Sequence, residues 1–219
     1  MNWLVIEAST PAASVAVVCG GRIRSAQDVQ MRGVESEGLL PVIDRALSRA
    51  GITAPEIDRL VCGSGPGSFT GLRLAASIAK GLAMGLGRPL FAVPSLGLLV
   101  AAGTDDPGTY VATLDALRGE WFAGVYERFP DGQVAETEPS RLGDRATVDR
   151  LAARYHARVL GAIQPASIDR PSARGILSFT RLLESAAPVD LDGWQPTYGR
   201  HAEAQVKWEA AHGRPLDSR

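Results

Sequence analysis

Two carboxylates close strand-like runs of this chain: Glu7 follows Leu4-Val5-Ile6, and Asp115 follows Tyr110–Leu114. Carboxylates at two such ends can hold a divalent metal and a phosphate chain across a cleft, or simply cap turns. With Ser9, they are the only candidates for nucleotide contacts. A second group is the run 63–73, Gly-Ser-Gly-Pro-Gly-Ser-Phe-Thr-Gly-Leu-Arg, whose glycines permit a tight strand-to-helix turn with amides free to face an anion. It completes neither phosphate motif. No lysine stands where a P-loop needs one, and the dinucleotide spacing Gly-x-Gly-x-x-Gly fails. The run therefore reads first as a structural turn, with Ser68 or Thr70 as the helix cap. His156, His201 and His212 form no His-x-x-x-His pair, and no Cys-x-x-Cys occurs, so a metal centre lacks its usual ligands. No Gly-x-Ser-x-Gly elbow surrounds Ser64 or Ser68. Cys19 and Cys62 lie in apolar runs away from any histidine and read as core residues. No residue is assigned a catalytic or metal-binding role.

The elements that must position these groups follow from periodicity. Short β-rich runs at Leu4–Glu7, Val15–Val18 and Arg22–Val29 predict three antiparallel strands. Leu39, Leu40, Ile43, Leu47 and Ala50 recur at helical spacing over 35–50, with Glu35 and Glu37 suited to the dipole of its first turn. A strand at Leu60–Gly63, a helix over Leu72–Gly87 and a strand at Leu90–Val93 complete the order βββαβαβ. That order is the ribonuclease-H-like unit used by actin-like ATPases, an α/β fold. Thr104–Gly108 reads as a hinge. Beyond it come strands at 110–114, 120–128 and 133–137, then helices near 147–154 and 175–187. The division expected is 1–103 and 104–219, the second domain a degenerate copy of the first with an extended, loosely held tail from Trp194.

Bulk properties exclude several classes. With 219 residues, 45% hydrophobic and 21% charged, the chain can bury a core without disulfides. A formal net charge of −1 supplies no global field toward nucleic acid or anionic membrane. The first residues lack the basic region and cleavage site of a signal peptide. Gly81–Gly103 is apolar but is broken by Arg88, Pro89 and Pro94, so it reads as helix end, strand and second helix rather than a membrane span. The expectation is a cytoplasmic protein.

The helix over 72–87 is apolar nearly all round. Leu74, Ile78, Leu82 and Leu86 form one stripe; Gly71, Ala75, Ala79, Ala83 and Gly87 form another made wholly of small residues. Such a helix must be covered on more sides than its own sheet can reach. Either helix 35–50 covers it completely, or the two helices form an association face, the small stripe allowing a close helix approach.

Several motifs, in order, resemble those of the TsaB (YeaZ) family: Ile6-Glu7-Ala8-Ser9-Thr10, Gly65–Arg73, Ala79–Ala83, Val93–Leu96, Asp115–Glu120, and Pro196-x-Tyr198-x-Arg200 with Lys207-Trp208. The resemblance implies an actin-like fold of two domains. It also implies a non-catalytic paralogue of TsaD, the subunit that transfers threonylcarbamoyl to N6 of adenosine 37 in tRNAs reading codons that start with A. TsaD carries a His-x-x-x-His metal pair; the matching positions here are Ser95 and Leu99, which disfavours a metalloprotease of the M22 type. Implied partners are TsaD, TsaE in a larger complex, tRNA only through that complex, and a second copy of the chain when alone. No tightly bound cofactor is implied, though ATP or ADP at the seam between subunits is compatible. The implied interface is Glu35, Leu39, Leu40, Ile43, Leu47, Phe69, Leu72, Arg73, Ala75, Ala76, Ala79 and Ala83. Glu7 replaces the family's usual aspartate, and Glu35 stands where a histidine is common. The rival reading is an autonomous actin-like nucleotide-binding hydrolase.

Overall fold

A computed structural model describes residues 1–31, 38–163 and 170–199. Its first sheet holds β1 (Asn2–Glu7), β2 (Ala12–Cys19), β3 (Arg22–Gln30), β4 (Arg59–Gly63) and β5 (Leu90–Val93) in the order β3-β2-β1-β4-β5. β1, β2 and β3 are antiparallel neighbours. β4 runs parallel to β1, and β5 to β4, so each needs a crossover helix: α1 (Leu39–Ala50) and α2 (Phe69–Leu86). The βββαβαβ order is the expected ribonuclease-H-like unit of actin-like proteins. Of the helix expected over 35–50, residues 35–37 lie outside the described residues.

A second sheet repeats the pattern. β6 (Gly108–Asp115), β7 (Trp121–Arg128), β8 (Val134–Gly143), α4 (Arg145–Tyr155) and β9 (Arg158–Gly161) form the order β8-β7-β6-β9, with β9 parallel to β6. β9 has no counterpart in the sequence reading, because Arg-Val-Leu-Gly is too short to show a period. The helix expected over 175–187 is instead a 3-10 segment, Ala173–Phe179, followed by α5 (Thr180–Ser185). Ala173, Ile176 and Phe179 are all buried and recur every third residue, the repeat of a 3-10 helix rather than an α-helix.

Every β2 residue but the last is buried, because both faces of the first sheet are covered. Leu4, Ile6, Val15 and Val17 meet α1 and α2 on one side. Trp3, Val5, Ala16 and Val18 meet α3 (Ser95–Gly103), the 3-10 segment and the second sheet's Tyr110, Ala112 and Tyr126 on the other. Helix α3 thus lies between layers, which accounts for the apolar run that ends at Gly103. No described helix is long and apolar enough to cross a membrane.

Thr104–Gly108, read as a hinge, is pinned. Asp105 pairs with the buried Arg128 at 3.1 Å, Asp106 pairs with Arg158 at 3.2 Å, and the Tyr110 hydroxyl donates to the Asp106 carbonyl at 2.8 Å. The described part of the tail is held as well. The Val189 amide donates to the Leu90 carbonyl and the Thr197 amide to the Ser64 carbonyl, both at 2.8 Å, bringing the chain back to the first sheet. Backbone pairing and the half-buried Trp194 supply anchors that a search for periodicity does not register.

Packing of α3 on the 3-10 segment is tight. A Cβ on Gly97 would lie 2.7 Å from the Phe179 ring. Gly97→Ala is expected to cost about 1–3 kcal/mol, the range for overpacked cores. Urea unfolding followed by circular dichroism measures it, and an unchanged midpoint would show that the ring yields freely.

Candidate functional site

Glu7 ends β1 with its side chain 1% exposed. Oε1 accepts the Ser9 amide at 2.6 Å, and Oε2 accepts the Ser95 hydroxyl at 2.8 Å. Ser95 Oγ in turn accepts the Gly65 amide at 3.0 Å. One carboxylate therefore ties the turn after β1 to the start of α3 and to the glycine run. Gly63 makes room for it, since a Cβ there would stand 1.8 Å from Glu7 Oε2. Burial pushes the Glu7 carboxyl above its ordinary value, against the opposing hydrogen bonds from Ser9 and Ser95. Burial, with the Glu7 charge adding to it, also pushes the Cys62 thiol up, which suits an inert core residue.

The glycine run is packed against this strand end. Amides that could have faced an anion are already bonded: Ser64 to the Val93 carbonyl at 2.8 Å, Gly65 to Ser95, and Ser68 to the Ser9 carbonyl at 2.6 Å. Ser68, not Thr70, caps α2 by accepting the Gly71 amide at 3.4 Å. A Cβ on Gly67 would meet the Ser9 carbonyl oxygen at 2.2 Å, and one on Gly71 the Ala8 carbonyl oxygen at 2.2 Å. The glycines serve close backbone approach. Ser9 Oγ is buried with no hydrogen-bond partner among the described residues. Asp115 is exposed and accepts the Leu117 amide at 2.7 Å within its own turn, with no hydrogen bond to Glu7 or Ser9. The three candidate nucleotide contacts do not form one polar cluster. Among the described residues no three His, Cys, Asp or Glu side chains are grouped to hold a metal.

The two crossover helices lie side by side, α1 over β2 and β3, α2 over β1 and β4. Their burial redraws the sequence-based interface. Leu39, Ile43 and Leu47 of α1, and Leu72, Ala75, Ala76, Ala79 and Ala83 of α2, are already buried within the chain. The small stripe faces the sheet, and at Gly71 the Ala8 carbonyl at the end of β1 leaves no room for a Cβ. Leu40, Phe69 and Arg73 are exposed. Glu35 lies outside the described residues. The outward face of α2 carries Leu74, the first residue of the leucine stripe, at 39% exposure and Met84, which the periodicity did not single out, at 66%, around Ser77, Gly81 and Gly85. A Cβ on Gly81 or Gly85 would meet nothing within 4 Å, so the backbone is bare there. Glycines at i and i+4 were the available signal, visible in Gly81-x-x-x-Gly85.

Comparison with known proteins places this architecture. The family model described as TsaD, tRNA N6-adenosine threonylcarbamoyltransferase, matches residues 35–139. The tRNA threonylcarbamoyladenosine biosynthesis protein TsaB of Bacillus subtilis is 24% identical over 225 residues, covering 95% of this chain and 98% of that protein. TsaB of Haemophilus influenzae is 34% identical over 122 residues, covering 55% of this chain and 51% of that protein. The structure of YeaZ from Pseudomonas aeruginosa superposes with a TM-score of 0.72 at 26% identity, covering 90% of this chain and 99% of that one. These matches support a TsaB (YeaZ) family assignment. Within that family's frame, the run from Gly65 to Arg73 is a structural joint: its glycines seat α2 on β1, and its amides bind the chain's own carbonyls and Ser95.

The raised Glu7 carboxyl has a defined pH signature. Its neutral form is favoured in the folded state, so its contribution to stability is full below the ordinary value of 4.5 and fades as pH rises through the higher folded value. Glu7→Gln should remove that decline. Urea midpoints measured from mildly acid to neutral pH are expected to fall less steeply for the variant than for the parent, and parallel curves would contradict the assignment.

Proposed function

We propose that this protein acts in the formation of threonylcarbamoyladenosine on tRNA, as a non-catalytic subunit that docks a TsaD-type transferase on the outer face of α1 and α2. The names of its relatives support the pathway. The docking role rests on one observation: Leu40, Leu74 and Met84 are exposed on the two crossover helices, with open backbone at Gly81 and Gly85 on α2. Bare glycines let a partner helix approach at the short end of the usual ~8–10 Å spacing, and the flanking side chains bury apolar area once it does. Helices of 12 and 18 residues extend about 18 and 27 Å. That length can supply one side of a standard interface, about 800 Å².

In this reading TsaE and tRNA join through the complex, and a second copy of the chain takes the same face in the transferase's absence. The chemistry is the transferase's. The groups that would perform it on an actin-like strand end are committed here to holding the fold, with both oxygens of Glu7 accepting hydrogen bonds from Ser9 and Ser95. Any ATP or ADP in the assembly sits at the seam between subunits rather than within this chain.

Variants separate docking from folding. Met84→Glu and Leu74→Glu place a charge where the partner would desolvate it, and are expected to weaken the complex by ~3 kcal/mol or more, at least about 100-fold. Both positions are open to solvent in the free chain, so its melting temperature should hold. Ala79→Glu buries the charge in the chain's own core and should unfold it instead. Isothermal titration of each variant with the transferase, beside its thermal melt, checks this. Undiminished binding by Met84→Glu and Leu74→Glu would refute the assigned face.

A further inference from the structure

A groove of about 250 Å³ runs along the flank of α2, walled on its other side by the returning segment 194–198. Among the described residues its lining includes Arg73, Ser77, Lys80, Gln195 and Tyr198, and no carboxylate. Arg73 and Lys80 are seven residues apart, two helical turns, so they share one face about 10.5 Å from each other along the axis. Neither forms an ion pair among the described residues, although the chain carries 24 acidic side chains. Each rests instead near an aromatic ring, Arg73 at 5.9 Å from the Phe69 centroid and Lys80 at 5.9 Å from that of Trp194. Those rings are held in place: Phe69 meets Tyr198 at 4.5 Å between centroids, and the half-buried Trp194 packs against the core that α1 and α2 share with the first sheet. The far wall is anchored by the Thr197 amide on the Ser64 carbonyl at 2.8 Å.

We infer that this groove is a phosphate-binding site, Arg73 and Lys80 each taking a phosphate of one ligand. Guanidinium and ammonium groups bind phosphate oxygens through charge-assisted hydrogen bonds, the guanidinium by a two-pronged contact. Ser77, Gln195 and Tyr198 add neutral donors. The phosphates come from a single RNA strand or from a small polyphosphate. The site lies on the flank of α2, and its test needs no transferase, so its outcome is independent of the docking experiment.

The test titrates the whole chain with a labelled oligouridine, following anisotropy across a range of salt concentrations, and separately with pyrophosphate by calorimetry. Each phosphate neutralised on a single strand adds about 0.7 to the slope of log K against log salt, so Arg73→Gln with Lys80→Gln is expected to lower that slope by about 1.4. Arg22→Gln with Arg24→Gln, on the exposed edge of β3, should leave it unchanged. Binding of pyrophosphate alone, weakened about tenfold or more in the Arg73→Gln, Lys80→Gln variant, assigns the phosphates to a small molecule and upholds the site. Circular dichroism of both variants should match the parent. The inference is overturned if the parent chain binds neither probe up to about 1 mM, the weak end of ordinary metabolite affinity. It is also overturned if the two double variants bind alike.

Discussion

The seat of the glycine run on the end of β1 is the constraint from which the rest of the structure follows. The glycine backbone meets its neighbours there at distances that only glycine allows: a Cβ at position 67 would lie 2.2 Å from the Ser9 carbonyl oxygen, and one at position 63 would lie 1.8 Å from the Glu7 side-chain Oε2. This contact does three things. It starts α2 against the sheet, so that α2 must turn small residues inward. It sets the glycine run over the carboxyl end of β1, the end at which open α/β sheets receive their ligands. And it leaves Glu7 buried with its oxygens bonded to Ser9 and Ser95, an internal fastener in the place of a metal-phosphate ligand.

Once the inner face of α2 is made of Gly71, Ala75, Ala79 and Ala83, the helix has little side-chain bulk with which to cover itself elsewhere. Its two other sides are managed differently. One flank is covered by the returning segment, through Trp194 and Pro196. The outward side carries Leu74, Met84 and the bare backbone at Gly81 and Gly85, which is the surface that association would bury. Folding and docking thus place opposite demands on neighbouring positions of one helix, and a charge at Ala79 and a charge at Met84 are different lesions.

Much of this was legible before any coordinates. Alternating and helical periods located β1 to β5, α1 and α2, and β5 falls at Leu90–Val93 as expected. What periodicity could not supply was direction. An all-apolar helix has two plausible inward stripes, and the small one faces inward where Gly71 meets the Ala8 carbonyl, a contact distant in sequence. Glu7 and Asp115 looked alike as strand-end carboxylates. Only the partners separate them, Ser95 and the space above Gly63 for one, an exposed local turn for the other. The groove beside Lys80 was invisible for the same reason, since its second wall arrives from residues 194–198. Within the helix expected over 175–187, only Thr180–Ser185 is α-helical, and the 3-10 turn before it places Ala173, Ile176 and Phe179 inward at a spacing of three.

The central claim is that the working surface of this protein is the outside of its crossover helices and not the strand-end crevice. Hydrogen exchange by mass spectrometry, comparing the chain alone with the chain bound to a TsaD-type transferase, addresses both places at once. The account predicts that amides of Leu39–Ala50 and Phe69–Leu86 gain protection on binding while those of Ala8–Thr10 and Gly63–Pro66 stay as they were. Protection confined to the crevice, with both helices unchanged, would contradict it.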